Sequence, residues 1–561
     1  MQGAKAAQGA KRNWFGKHLG LILIILVQTA VYILAGVNKA YLHMDEAFSL
    51  GLTHFEQIDP ASQADFYDHW HSGEYFEDYL AVDKAEVWDL GPVIRNQKND
   101  VHPPLFYLLL RLSQNMVAGQ YSKWPGIILN ILIAVGNTVL IFAILNKLLQ
   151  KEKQSKIKAL VMTAVAALTI ATVSAVVYIR MYQLLTFWVL LTTWLHLQLY
   201  EREKLSWKLL VAIGVTVVAG MLTQYYYLFF LAPLWLVLLV KYVRAKRWKE
   251  LGCYTGTLLL AGGVSLAIWP VMLQHMFFGY RGQGVLGSLL DLSRLVGQVW
   301  EYILIVDYYD FHRMLIIAVA ILVVVWLMRN LKMERSTAQT AEKTTWEMKI
   351  GLKFKVGARE HGAGNLWPVM GWPTMVYFLI VAAVSPYIEL RYVMPVCGLI
   401  VIIVVWWLYR SLGQVLTEKM RNAVVAGFLG VMLVAAPVQL ATGAMRIELL
   451  YRDKEALMEE LQANNEVPTV YFITTENNRF LDNLLPFVVM DQSYLALDRR
   501  PGELKVEQIV RGRDLSHGLY VWISDQYKHE EILQEVQEAT DLDKVRHVRG
   551  VNTCDIYYLS K

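Results

Sequence analysis

Long apolar runs broken by short polar stretches fill the first 440 residues of the chain. A helix needs about 20 apolar residues to cross a bilayer, whereas runs of about 10 to 14 are more often interfacial or buried. Leu19 to Val37 meets the first condition. It is followed by a polar, acidic and aromatic stretch, Tyr41 to Lys123, which opens with His43-Met44-Asp45-Glu46 and closes with Asp100-Val101-His102-Pro103-Pro104-Leu105-Phe106-Tyr107. Inside it, Pro103 to Leu112 is apolar, but Arg111, Ser113, Gln114 and Asn115 cut it short, so the pattern predicts a helix at the membrane surface and not a span. Further runs follow at Trp124–Leu145, Ala159–Tyr178, up to Leu199, Leu209–Thr223, up to Val240, Tyr254–Met276, Met314–Met328, Leu366–Val384, up to Trp407 and Ala423–Leu440. The expectation is an α-helical polytopic membrane protein of about 11 transmembrane helices.

The basic residues test that count, because cytoplasmic loops carry an excess of Lys and Arg. Lys5, Lys11, Arg12 and Lys17 precede the first run; Lys147, Lys151, Lys153, Lys156 and Lys158 follow the second. Later clusters at Arg202–Lys204, Lys241–Lys249, Arg329–Glu360 and Arg410–Arg421 fall after every second run. Had Pro103 to Leu112 been a span, every later cluster would face outward. The pattern therefore predicts a cytoplasmic N-terminus and an uncleaved first span. It also predicts an outer face carrying the loops at 38–123, Ile179–Tyr182, Gln224–Tyr227, Phe277–His312 and Ser385–Tyr392, and a C-terminal region, 445–561, outside the cytoplasm. That region reads as a small α/β domain, with buried strands at Thr469–Ile473 and Leu519–Ser524, a helix at Glu530–Glu538 and a closing strand at Ile556–Leu559. Residues 1–444 are expected to form the catalytic membrane domain, with 38–123 as its first outer loop.

Composition agrees: 561 residues, 55% hydrophobic and 12% aromatic, are too apolar for an ordinary soluble protein. The net charge of +5 is modest and is spent in short clusters between apolar runs, the pattern of topology signals and not of a nucleic-acid partner. Cys253, Cys397 and Cys554 have neither metal-site nor disulfide spacing.

The outer loops collect Asp45, Glu46, Asp100, His102, Lys123, Arg180, Tyr182, Tyr225, Arg281, Asp307, Arg391 and Tyr392. Carboxylates and cations meeting at one membrane surface suit a reaction in which a base activates a hydroxyl while cations hold a phosphate. They also suit an ion site or loop solvation. Asp45 and Glu46 lie just past the first span, where acids near lipid are costly to desolvate, and His102-Pro103-Pro104 fixes the backbone ahead of a short helix.

With Arg180-Met181-Tyr182 after the third run and Arg391-Tyr392-Val393-Met394-Pro395 late in the chain, these motifs in this order resemble the GT-C class of membrane glycosyltransferases. The nearest likeness is to the protein O-mannosyltransferase and aminoarabinose transferase group and its bacterial cell-surface homologues. The resemblance covers roughly Leu19 to Trp407. It implies a polyprenyl-phosphate sugar as donor, an outer-face reaction, Asp45 as base with Glu46 beside it, and donor phosphate near His102. Some relatives have Lys where this chain has His102, and a neutral imidazole holds phosphate less strongly, so the cation role passes to Arg180, Arg391 or Lys123. Tyr182, Tyr225, Arg281 and Tyr392 are the expected substrate contacts. One inverting displacement is implied. Phosphate is a good leaving group, so no metal cofactor is required, although Asp45, Asp100, His102, His69 and His71 offer ligands for a divalent ion. Asp68-His69-Trp70-His71 itself reads as a hydrated surface loop.

Donor sugar and acceptor are not legible; a polysaccharide, a lipid or a protein all remain open as acceptor. Short loops favour a bacterial plasma membrane. The alternatives are a lipid-linked sugar flippase or polysaccharide transporter and an inactive glycan-binding scaffold. A transporter is expected to place ionisable groups near the midplane and to show repeated halves; here the charges gather at outer helix ends and no repeat is visible.

Overall fold

The computed structural model describes residues 2–56, 60–279, 292–340, 343–352, 366–442, 447, 449–477 and 480–561. Every expected apolar run is helical. Among the described residues, seven helices are long and apolar enough to cross a membrane: His18–Val37, Trp124–Leu148, Tyr227–Arg244, Trp248–Ile268, Trp367–Val384, Met394–Leu412 and Glu418–Thr442. An eighth span results if Ser155–Leu168 and Ile170–Val177, bent by 52° at Thr169, are taken as one. The remaining three expected spans are helices as well, Tyr182–Glu201, Trp207–Met221 and Leu315–Asn330, but they fall short of that measure of length and apolarity. The expected 11 spans are thus 11 helical places, of which seven or eight qualify on their own.

The bend in the third run has a local cause. The Thr169 hydroxyl accepts the Thr172 N–H at 3.2 Å, capping a new helix inside an apolar stretch. Leu105–Gln114 is a short helix, as expected, docked where the Leu105 N–H donates to the Leu222 carbonyl at 3.0 Å. The stretch Phe277–His312, expected as an outer loop, contains the helix Leu292–Tyr309. That helix packs on Trp367–Val384 and on the turn Leu390–Tyr392. The long basic segment after Leu315–Asn330 carries a hairpin of strands β2, Leu331–Thr340, and β3, Lys343–Leu352.

Two ends of the bundle are distinct. The loops read as cytoplasmic converge on one another: Lys147 pairs with Glu201, Arg410 Nη1 lies 3.9 Å from Glu152 Oε1, and Arg247 donates to the Glu203 carbonyl. The loops read as outer converge at the other end.

There the C-terminal residues form a sheet with strand order β1-β5-β4-β6-β8-β7. Its strands are β1 Trp70–His71, β4 Thr469–Ile473, β5 Ser493–Leu497, β6 Leu519–Ser524, β7 Lys544–Val551 and β8 Cys554–Ser560. β4 is parallel to β5 and β6, while β1, β7 and β8 run antiparallel to their neighbours. The helix His529–Thr540 covers one face with Ile532 and Val536 buried.

β1 comes from the first outer loop, so Asp68-His69-Trp70-His71 is no hydrated loop. Trp70 pairs with Tyr494, its indole N–H donates to the Ile509 carbonyl at 2.9 Å, and Asp68 meets Arg499 at 2.8 Å. His71 stacks on Tyr75 with ring centroids 3.8 Å apart. Phe66 and Phe76 pack against Phe480, and Phe76 also meets Phe487, which joins the first loop to the C-terminal core.

Candidate functional site

Asp45 sits in the first turn of the helix Met44–Gly51. His43 caps that helix: its Nδ1 accepts the Asp45 N–H at 3.0 Å, and Glu46 Oε2 accepts the His43 N–H at 2.8 Å. The reciprocal pair is a capping box with histidine in the place usually held by Ser or Thr.

Glu46 is wholly buried and fully used. Its Oε2 also meets Lys39 Nζ at 2.9 Å, and its Oε1 accepts the Ile179 N–H at 2.9 Å. Asn130 Nδ2 donates to the Tyr178 carbonyl at 2.7 Å, securing the same turn. Glu46 therefore clamps the segment Tyr178–Arg180 beside its neighbour Asp45, and its carboxylate is committed to that framework.

The clamp brings carboxylates and guanidiniums together. Asp45 Oδ2 accepts the Tyr178 hydroxyl at 2.8 Å and forms an ion pair with Arg391 Nη1, which also donates to the Tyr178 oxygen at 3.0 Å. Arg391 Nε lies 2.8 Å from Glu389 Oε2. Arg180 Nη1 donates to Ser49 Oγ and the Tyr107 oxygen, both at 3.0 Å, and to the Asp45 carbonyl at 3.3 Å. Its Nη2 lies 3.5 Å from His102 Nε2, whose Nδ1 is 2.7 Å from Asp100 Oδ2. Arg180 is 5% exposed, its Nε has no hydrogen-bond partner, and among the described residues it makes no side-chain ion pair. A buried guanidinium without a carboxylate partner is a ready site for an oxyanion.

Burial pushes the Asp45 carboxyl up, but the guanidiniums of Arg180 and Arg391 outweigh it and hold it well below the usual carboxylate range. Asp100 is held at about 2, where His102 overcomes the same burial. Burial lowers His43 to about 4, so its ring is neutral near pH 7 and its Nδ1 stays an acceptor.

Of the residues named from sequence, Asp45, His102, Arg180 and Arg391 converge. Tyr182 stacks on Tyr178 with centroids 5.9 Å apart, and Tyr392 lies under Arg391 at 5.2 Å. Lys123 stays apart: its ammonium donates to the Lys39 carbonyl. Tyr225 stands to one side, bonded to His275 Nδ1 at 2.9 Å. Asp307 caps a helix, accepting the Leu315 N–H at 2.7 Å. Arg281 lies outside the described residues. Tyr178, Ser49 and Lys39 were not legible as site residues; a tyrosine ending an apolar run looks like any interfacial aromatic. Of the expected metal ligands only Asp100 and His102 touch, and the one group of three metal-capable residues among those described is Asp525, His529 and Asp555, in the C-terminal sheet region.

The fold and this chamber define a multi-pass membrane protein with an acid-and-arginine site at one face of its bundle. Residues 101–269 match the family model described as dolichyl-phosphate-mannose-protein mannosyltransferase. That stretch holds His102, Arg180, Tyr182 and Tyr225, and with it the chain resembles the GT-C mannosyltransferase and aminoarabinose transferase group, a class of membrane glycosyltransferases. Comparison with curated proteins finds no match. Among solved structures, the chain is similar to ArnT from Cupriavidus metallidurans bound to undecaprenyl phosphate, with 12% identity, a TM-score of 0.47, and 96% of this chain and 98% of that one covered. The apo ArnT structure gives 12%, 0.42, and 98% of each chain. The oligosaccharyltransferase of Archaeoglobus fulgidus, in complex with zinc and sulfate, gives 10%, 0.27, and 88% of this chain against 68% of that one.

Proposed function

We propose that the protein transfers a sugar from a polyprenyl-phosphate donor to a hydroxyl of a cell-surface acceptor, on the outer face of a bacterial plasma membrane, with inversion. The observation that carries this reading is the juxtaposition of one carboxylate, Asp45, with two guanidiniums, Arg180 and Arg391, at a single membrane face. The acceptor oxygen attacks the anomeric carbon while Asp45 takes its proton. The bond from that carbon to the phosphate oxygen breaks, and the lipid phosphate leaves with the electron pair. Arg180 and Arg391 meet the charge that develops there, which is where fixed cations lower a barrier most. His102, held by Asp100, borders the same phosphate. Glu46 positions Asp45 and the Tyr178–Arg180 turn and does not exchange protons with substrate. No metal is needed for a leaving group as good as a phosphate monoester.

The test is a transfer assay in proteoliposomes with a panel of undecaprenyl-phosphate sugars, scoring release of lipid phosphate. Wild type is expected to release it with one donor, and Asp45→Asn to lose at least about a hundredfold in turnover while remaining folded, the scale of a lost general base. Undiminished turnover in Asp45→Asn removes Asp45 from the chemistry; intact donors that change leaflet would make the protein a transporter.

A further inference from the structure

The group meant to take a proton and a group meant to hold a phosphate are bonded to each other. Arg391 is held by the carboxylates of Asp45 and Glu389 and by the Tyr178 oxygen, so a further anion there meets two carboxylates already in place. The region around it carries the carboxylates of Asp45, Asp100 and Glu389 against the guanidiniums of Arg180 and Arg391, a poor host for a phosphate as it stands. Arg180 differs: among the described residues its partners are neutral oxygens and the His102 ring, not a carboxylate. Tyr178 is the third member of the triangle, since its hydroxyl donates to the same Asp45 oxygen that Arg391 occupies.

Resting on the glycosyl-transfer reading above, we propose that the donor's phosphate and Asp45 compete for Arg391. Phosphate enters beside Arg180, draws the Arg391 guanidinium away from Asp45, and leaves the Tyr178 hydroxyl as the one bond that orients the freed carboxylate. Tyr178 is then a positioning residue for the reaction, acting through Asp45. Two features fit this exchange. Guanidinium forks pair with phosphate at least as well as with carboxylate. Tyr178 is also fixed independently of Arg391, by its stacking on Tyr182 and by the backbone bonds from Asn130 and Glu46 to its turn, so it can stay while Arg391 moves.

The test measures direct binding of undecaprenyl phosphate to the purified full-length chain in detergent, for wild type, Asp45→Asn, Arg391→Gln and the double variant, each checked for fold by size exclusion. Asp45→Asn is expected to bind the lipid about tenfold more tightly than wild type, because a competitor for Arg391 is gone, and the gain is expected to vanish in the Arg391→Gln background. Equal or weaker binding by Asp45→Asn overturns the exchange. So does a gain that persists without Arg391, which is plain charge repulsion. If no protein binds the lipid, the glycosyl-transfer reading falls with it; if all bind with Arg391-independent affinity, only the exchange falls. For Tyr178→Phe, which keeps the ring stack, donor KM is expected to stay level or drop while kcat falls at least about tenfold. A rise in KM with kcat unchanged would make Tyr178 a donor contact and overturn its positioning role.

Discussion

At the scale of single residues, His43 shows how a chemical site rests on a local cap. Its ring must stay neutral for Nδ1 to accept the Asp45 N–H, and burial, with Arg391, Arg180 and Lys39 nearby, keeps it so down to about pH 4 despite the opposing pull of Asp45. The unfolded chain binds that proton at the ordinary histidine pKa of about 6.5. Between the two values the unfolded state carries more protons, so the contribution of His43 is whole above about pH 6.5 and is lost as pH falls towards 4. His43→Asn keeps a side-chain cap and cannot titrate. The expected outcome is that wild type loses more Tm than His43→Asn between pH 7 and 4.5; equal losses would detach the cap from the pH dependence. From the sequence, Asp45 could be picked out because a carboxylate at the end of an apolar run is costly, and His102, Arg180 and Arg391 through their loop motifs and the family resemblance those motifs carry. Tyr178 and Ser49 could not, since neither residue type is unusual there. Lys123 lies apart from them, since a lysine in such a loop is as well suited to bonding a backbone carbonyl, as it does at Lys39, as to holding a ligand.

At the scale of elements, hydropathy located the helices but not their breaks. Thr169 bends the third run between Leu168 and Ile170 with no glycine or proline to announce it, because a threonine cap barely dents an apolar window. The helix Leu292–Tyr309 was hidden in an expected loop because Gln298, Glu301 and Asp307 interrupt its apolar run. The helix Met44–Gly51 depends on a close approach at its end. A methyl group added at Gly51 would fall within the ring of Tyr79, which is 1% exposed and pinned by Phe55 at a centroid distance of 5.0 Å. Overpacking of that kind costs about 1–3 kcal/mol. Gly51→Ala is expected to lower thermal stability by an amount in that range and, by shifting the helix that carries Asp45, to lower turnover more than donor affinity. Unchanged turnover and Tm would show that Tyr79 can swing clear and that the helix is not held there.

At the scale of the whole molecule, the first outer loop and the C-terminal residues make one structure. The sequence showed β4, β6 and the end of β8 as apolar runs, but not β7, whose residues are largely exposed, nor the pairing of β1 with β5, since a two-residue strand so far from its partner in the chain leaves no periodic trace. Lys39 ties this assembly to the chemistry: its ammonium joins Glu46 to the Leu449 carbonyl at the entrance to the C-terminal region. Because β1 and β6 belong to one sheet, the first loop and the C-terminal region must lie on the same side of the membrane, and the topology proposed from the charge pattern puts that side outside. Single cysteines placed by His69→Cys and Asp525→Cys, in a background with exposed Cys253 replaced by serine, are expected to react with a membrane-impermeant maleimide added outside intact cells. Lys153→Cys, exposed at the opposite end beside the Lys147–Glu201 contact, is expected to react only after permeabilisation. The reverse pattern would invert the molecule, place Asp45 and Arg391 on the cytoplasmic face, and require a donor presented from that side; labelling at 69 without 525 would break the shared sheet itself.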